Sequence, residues 1–201
     1  MATADQSVQP LALGPADRGR AVTDEEFAGA EFEEPWRYEL VGGMLEVMSP
    51  NSEEHDNAAE PWRDAFVAYK RAHRDRVQNV VPEAWVRIGP GQSRVADIAV
   101  YLVGERSSTK RPERVPELVV EVVSPGAKSE RRDAIEKRAE YHQGGVLEYV
   151  LVDCAARQIR VLTHAPGDYQ ERTLGPGDSY DSPLLPGFVL DLDDALPRGP
   201  S

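Results

Sequence analysis

Arg94-Val-Ala-Asp97-Ile-Ala-Val-Tyr101 and, after a charged loop, Glu117-Leu-Val-Val-Glu121-Val-Val-Ser-Pro125 decide how this chain is read. Each stretch reads as a buried strand with a carboxylate inside an apolar run. Leu118 to Val123 is nearly continuous Val and Leu, as in a strand covered on both faces. A lone ionised carboxylate there costs several kcal/mol unless it is paired, protonated or bound to a metal. Two of them, on strands close in sequence, point to a divalent-cation site and so to an enzyme.

On either side of these strands the pattern alternates between helix and sheet. Thr23 to Glu34 reads as a short helix with Thr23 as N-cap and acid in its first turn. Trp36–Val41 and Met44–Met48 flank Gly42-Gly43, a strong hairpin signal because a type I′ turn needs positive φ twice. A helix is expected from Glu53 to about Arg74, with Trp62, Phe66 and Tyr69 on one face and Pro61 as a kink or break. Val77–Val81 and Ala84–Ile88 read as two short strands around Pro82. Ser129–His142 reads as a helix stopped by Gly144-Gly145. Val146–Val152, Ile159–Thr163, Tyr169–Thr173 and Phe188–Leu190 supply further strands. The order indicates a mixed α/β or α+β sheet core.

Residues 1–20 are polar with little apolar periodicity and are expected to be a disordered tail. One domain is expected over 21–196, with a short tail at 197–201. No apolar stretch approaches a membrane span, and the N-terminus lacks a signal peptide's pattern. The single Cys154 rules out an intramolecular disulfide and a multi-cysteine zinc site, and the expected compartment is the cytoplasm. His73, His142 and His164 show no metal-ligand spacing, and Trp36, Trp62 and Trp85 are expected to build core.

A net charge of −12 argues against non-specific coating of nucleic acid. The charge is uneven, however. Acid gathers near the ends, and base gathers in the middle at Arg63, Lys70, Arg71, Arg74 and Arg76, at Arg106, Lys110, Arg111 and Arg114, and at Lys128, Arg131, Arg132, Lys137 and Arg138. Two readings are open: an ordinary solvated surface, or a basic rim around an acidic metal-binding centre.

Phosphodiester hydrolysis needs an activated water and neutralisation of developing charge, and Mg2+ on one or two carboxylates supplies much of both. Asp97 and Glu121 are the candidate ligands, since residues opposite one another on adjacent strands lie about 5 Å apart. The Val122 carbonyl is a candidate third oxygen. Lys137 is the best-placed lysine to orient water or stabilise phosphoryl oxygens, because Asp133, Lys137 and Tyr141 share one helix face at i, i+4 and i+8. The same spacing also fits a surface Asp–Lys pair with Tyr141 packed into the core.

Several further motifs carry a family resemblance. They are Tyr38-Glu-Leu-Val-Gly-Gly-Met-Leu-Glu-Val-Met-Ser-Pro50, Ser52-Glu-Glu-His55, Val95-Ala-Asp97, Leu118–Pro125, Asp133-Ala-Ile-Glu-Lys137-Arg-Ala-Glu-Tyr141, Gly145–Asp153 and Ser182–Gly187. In this order they resemble the Uma family of restriction-endonuclease-like proteins, over roughly residues 23–196. The resemblance implies the PD-(D/E)XK nuclease fold: a mixed central β-sheet flanked by helices, with an N-terminal hairpin and a β-rich C-terminal extension. It also implies magnesium- or manganese-dependent endonuclease chemistry on DNA. By position, Asp97 and Glu121 take the two acidic motif places, Glu54 and His55 the Glu-His of the first core helix, and Glu46 the hairpin acid. Ala96 stands where the superfamily motif has Pro, and Val123 stands where it has lysine. In the resemblance Lys137 is the relocated lysine, with Tyr141 in support.

Three readings follow: a magnesium-dependent DNA endonuclease, a catalytically silent nuclease-fold binding or structural protein, and an enzyme on another phosphate-bearing substrate. Cutting both strands of a duplex calls for two sites and hence a homodimer, with the Val146–Val152 strand and the C-terminal third as the expected interface.

Overall fold

The structure, a computed structural model, describes residues 10–104, 114–123 and 132–196. Two compact units form, Met1–Pro50 with Gly89–Ser93 and Asn51–Ile88 with Arg94–Ser201.

The first unit is built on the expected hairpin. Strands β3 (Arg37–Val41) and β4 (Met44–Met48) pair antiparallel, with Glu39 opposite Glu46. Gly42 and Gly43 have φ of 58° and 77°, the left-handed region that a type I′ turn requires. The helix foreseen from Thr23 is α1 (Asp24–Gly29), closed by a capping box between Thr23 and Glu26. It is shorter than expected because Glu31–Phe32 leaves it to form β2, which pairs in parallel with β1 (Ala12–Leu13).

Strand β1 corrects the disordered-tail expectation over residues 10–20. Leu13 is buried, Gly19 N–H donates to the Leu45 carbonyl, and Leu45 N–H donates to the Arg20 carbonyl. A two-residue strand carries too little periodicity to read in sequence, and the hairpin edge supplies partners for the segment after it. Residues 1–9 and 197–201 lie outside the described residues. Trp36, expected in the core, is 37% exposed, whereas Trp62 in the second unit is fully buried.

The second unit carries a mixed, mostly antiparallel sheet. Its strands are β5 (Val77–Gly89), β6 (Gln92–Leu102), β7 (Leu118–Val122), β8 (Glu148–Asp153), β9 (Gln158–His164) and β10 (Tyr169–Leu174), in the order β10-β9-β8-β7-β6 with β5 also on β6. The tip residues 89–93 belong to the first unit. β7 and β8 are parallel, whereas β6 with β7, β8 with β9 and β9 with β10 are antiparallel. A parallel pair needs a crossover. Here it is a stretch of π-helical winding, Arg132–Lys137, that continues as α3 (Arg138–Gly144). β11 (Ser179–Asp181) and β12 (Val189–Asp191) make a small separate ladder before the short helix α4 (Leu192–Ala195).

Each face of the sheet has its own core. α2 (Glu53–Ala72) lays Ala58, Trp62, Phe66 and Tyr69 on Ile98, Val100, Val120, Val150 and Val161. Each large side chain so buried contributes about 1.5–3 kcal/mol. That seam runs past both sides of Pro61, which explains why the helix, expected to kink or break there, is not split. The opposite face packs Val119, Tyr149, Leu151 and Leu162 beneath Tyr141.

The two strands expected around Pro82 are the single strand β5. Glu83 takes a φ of 45° there, a local irregularity that accommodates the proline. The expected dimer strand is a second correction. β8 lies between β7 and β9 with residues 148–152 buried, so no edge is left for a partner.

Candidate active site

Strands β6 and β7, helix α2 and the crossover bring charged groups into the interior of the second unit. β6 supplies Asp97, 6% exposed, and β7 supplies Glu121, 3% exposed. Their ladder, Ile98↔Val120 to Val100↔Leu118, ends just before both carboxylates. There Asp97 replaces a backbone acceptor, and its Oδ2 accepts from Val122 N–H at 2.8 Å. This is the observed contact of Val122, whose carbonyl was the candidate third oxygen.

α2 supplies His55. Ser52 caps the helix by accepting from His55 N–H at 3.2 Å, which fixes His55 at the third helical position. Its Nε2 then stands 3.0 Å from Asp97 Oδ2. Glu54, one residue earlier, faces solvent instead.

The crossover supplies Lys137, at the end of its π-helical winding, and Tyr141 on α3, which stops at the left-handed Gly145. The expected start at Ser129 lies outside the described residues. Lys137 is 2% exposed, and its Nζ donates to Glu121 Oε1 at 2.7 Å and to the Val95 carbonyl at 2.9 Å. Tyr141 OH donates to the same Glu121 oxygen at 2.9 Å. The surface-pair reading of Asp133 and Lys137 is thereby excluded, since both are buried. Val123, at the usual lysine position, instead packs against the core beneath α3.

Asp97 and Glu121 occupy different electrostatic environments. Burial alone would raise Asp97, but the His55 contact, Lys137 and the Val122 N–H outweigh it and hold its carboxyl below the ordinary value. Glu121 is pushed up to about 8 by burial, with Asp97 and Asp133 adding to the effect and Lys137 opposing it. The two carboxyls are therefore shifted in opposite directions, Asp97 down and Glu121 up.

The donor set fits a hard divalent cation better than a zinc-type ion. Among the described residues no three His, Cys, Asp or Glu side chains converge as a metal cage. Mg2+ is commonly held by one or two carboxylates and keeps several waters, which is what Asp97 and Glu121 offer.

Glu46 is not a residue of the second unit. It lies on β4 of the first unit, exposed between buried Leu45 and Val47. Of the two hairpin acids it is Glu39 that is buried, at 1% exposure, although both are flanked by apolar residues in the sequence. Asp133, 1% exposed, is a second residue whose burial the sequence did not resolve.

The model of the Uma2 family, described as "Putative restriction endonuclease", matches residues 24–193. The chain belongs to the Uma2 family. Among solved structures it is similar to one described as a putative nuclease belonging to DUF820 from Anabaena variabilis. The TM-score is 0.69 at 15% identity, covering 87% of this chain and 97% of that one, which shows the shared fold. No curated protein matches. Among the described residues no helix of this Uma2 member is long and apolar enough to cross a membrane.

Several of the basic residues expected around the centre are paired. Arg132 is paired with Asp133, Arg114 with Glu117, and Arg138 with Asp168 and Glu171. Arg106, Lys110, Arg111, Lys128 and Arg131 lie outside the described residues.

Proposed function

We propose that this Uma2 protein is a metal-dependent endonuclease that hydrolyses phosphodiester bonds in DNA. The observation that carries the reading is the Lys137–Glu121 contact beside Asp97. A lysine from the crossover contacts Glu121, while Val123 is apolar.

In this reading Asp97 and Glu121 hold Mg2+ or Mn2+, with the Val122 carbonyl as a candidate third oxygen. The bound cation would neutralise phosphoryl charge and lower the pKa of a bound water. Lys137, as an ammonium, stabilises charge developing on the phosphoryl oxygens and orients water. His55 fixes the Asp97 carboxylate from one side while the Val122 N–H fixes it from the other. Tyr141 holds the Glu121 oxygen that Lys137 also binds. Two copies of the chain would cut the two strands of a duplex.

The test is incubation of supercoiled plasmid with Mg2+ or Mn2+ and the parent protein, Asp97→Ala or Lys137→Ala. Nicking by the parent alone supports the reading. Equal nicking by all three identifies contamination, and no nicking by any rejects a general DNA endonuclease.

A further inference from the structure

Arg94 has no part in the chemistry above, yet its side chain is buried, at 3% exposure, on the strand that carries Asp97. Its guanidinium grips the Glu140 carboxylate with two parallel bonds, Nε to Oε2 at 2.6 Å and Nη2 to Oε1 at 2.7 Å. Such a fork fixes orientation as well as distance, which a single hydrogen bond does not. Glu140 stands on α3, in the chain between Lys137 and Tyr141 and next to Tyr141. The pair therefore ties the strand of Asp97 to the crossover of Lys137 and Tyr141.

The tie sits where the sheet stops holding the site. The ladder between β6 and β7 spans Ile98 to Val100, so the segment from Arg94 to Asp97 lies beyond it. There the segment meets the crossover. Lys137 Nζ donates to the Val95 carbonyl at 2.9 Å, and Arg94 holds Glu140. The first tie uses a group of the proposed site. The second uses none, so it does not depend on how the site's own groups are engaged. With Arg94 buried and Glu140 only 21% exposed, the pair is shielded from the screening that weakens surface ion pairs.

We infer that Arg94 and Glu140 are a positioning pair: their clamp docks the crossover on β6 and so sets where Lys137 and Tyr141 stand relative to Asp97 and Glu121. The purpose rests on the metal-nuclease reading, whereas the docking stands on the geometry of the pair. Neither residue takes part in the bond-breaking step.

Two variants test the clamp. Arg94→Lys keeps the positive charge and loses the fork, and Glu140→Gln removes the carboxylate. Both are assayed where circular dichroism and urea denaturation show them folded. In each, the amides of residues 138–144 are expected to exchange with deuterium at least about tenfold faster than in the parent, because a charge-assisted hydrogen bond leaves the helix's anchor. The amides of β8 and β9 keep the parent rate. Plasmid cleavage is expected to lose at least about tenfold in kcat with KM unchanged, a split that lower stability alone does not produce in folded protein. Parent exchange rates in either folded variant overturn the inference. So does acceleration spread evenly over the domain, which makes the pair a general support of the fold. Full kcat in a variant whose 138–144 amides are loosened overturns it as well. If Glu140→Gln does not fold, Arg94→Lys carries the test, and failure of both to fold has the same meaning as even acceleration. A parent that cleaves no plasmid rejects the nuclease reading, and exchange alone then decides the docking.

Discussion

Glu121 and Glu148 are both buried glutamates on neighbouring parallel strands, and both accept a hydrogen bond from a buried tyrosine. Glu121 on β7 also meets Lys137, delivered by the crossover on its face of the sheet. Glu148 on β8 meets Tyr180 from β11 and forms no ion pair among the described residues. Burial raises its carboxyl too, against the opposing hydrogen bonds of Tyr180 and Ser182. The difference is one cation. With it, the buried Glu121 has a charged partner that opposes the effect of burial. Without it, Glu148 serves as a polar tie between its strand and the C-terminal segment.

The largest expected effect comes from removing that cation. Lys137→Met should abolish plasmid cleavage and, above about pH 8 where Glu121 is ionised, destabilise the fold by about 3–5 kcal/mol, because it breaks a buried pair and strands its partner. Urea denaturation checks the second effect. A loss well under about 1 kcal/mol would mean that Glu121 does not depend on Lys137.

The next effect separates the two glutamates by pH. The folded-state value of Glu121, about 8, lies above the ordinary 4.5, so the folded protein binds a proton that the unfolded chain has released. This stabilisation is complete below pH 4.5 and is lost as pH rises towards 8, with a slope of at most roughly 1.4 kcal/mol per pH unit. Glu148 acts in the same direction. Metal-free protein should therefore melt higher at pH 5 than at pH 8. Glu121→Gln should remove part of that slope, and Glu148→Gln another part. Saturating Mg2+ should remove the Glu121 part alone, and Mg2+ affinity measured calorimetrically should rise with pH until Glu121 is deprotonated.

Tyr180→Phe comes third. It deletes one donor to Glu148 and should cost about 1–3 kcal/mol without changing cleavage by the folded enzyme. A large drop in kcat would link the two carboxylate clusters and break the comparison. The smallest effect belongs to Glu54→Ala, expected to shift stability by less than about 0.5 kcal/mol because the side chain is exposed. A loss of cleavage comparable to that of Asp97→Ala would return Glu54 to the site.

Much of the fold and part of the site are legible in the chain itself. Carboxylates inside Val-rich runs must be explained by pairing or by a ligand, so Asp97 and Glu121 stand out by their neighbours alone. Gly42-Gly43 marks the hairpin because few residues tolerate its backbone. Ser52 marks the start of α2 because the first N–H groups of a helix need an acceptor. Lys137 is harder to place, since i, i+4 spacing puts a residue on a face but does not say whether that face looks inward. Glu148 carries the same signal as Glu121 within Val146–Val152, but its partner Tyr180, 32 residues away, is not visible there. Glu39 and Glu46 cannot be ranked by alternation alone, because both strands of the hairpin alternate around their acids.

What the amino-acid sequence determined by itself is therefore local: which segments become strand or helix, where they begin and stop, and which carboxylates would be too costly to bury alone. These follow from backbone sterics, hydrogen-bond satisfaction and the cost of desolvating charge, all of which act within a few residues. Tertiary structure alone decided which cation meets which carboxylate, that β8 is interior and not an interface, and that Pro61 is spanned by a continuous buried seam. Those outcomes depend on contacts between segments far apart in the chain, where sheet order and the placement of the crossover set the distances over which charges act.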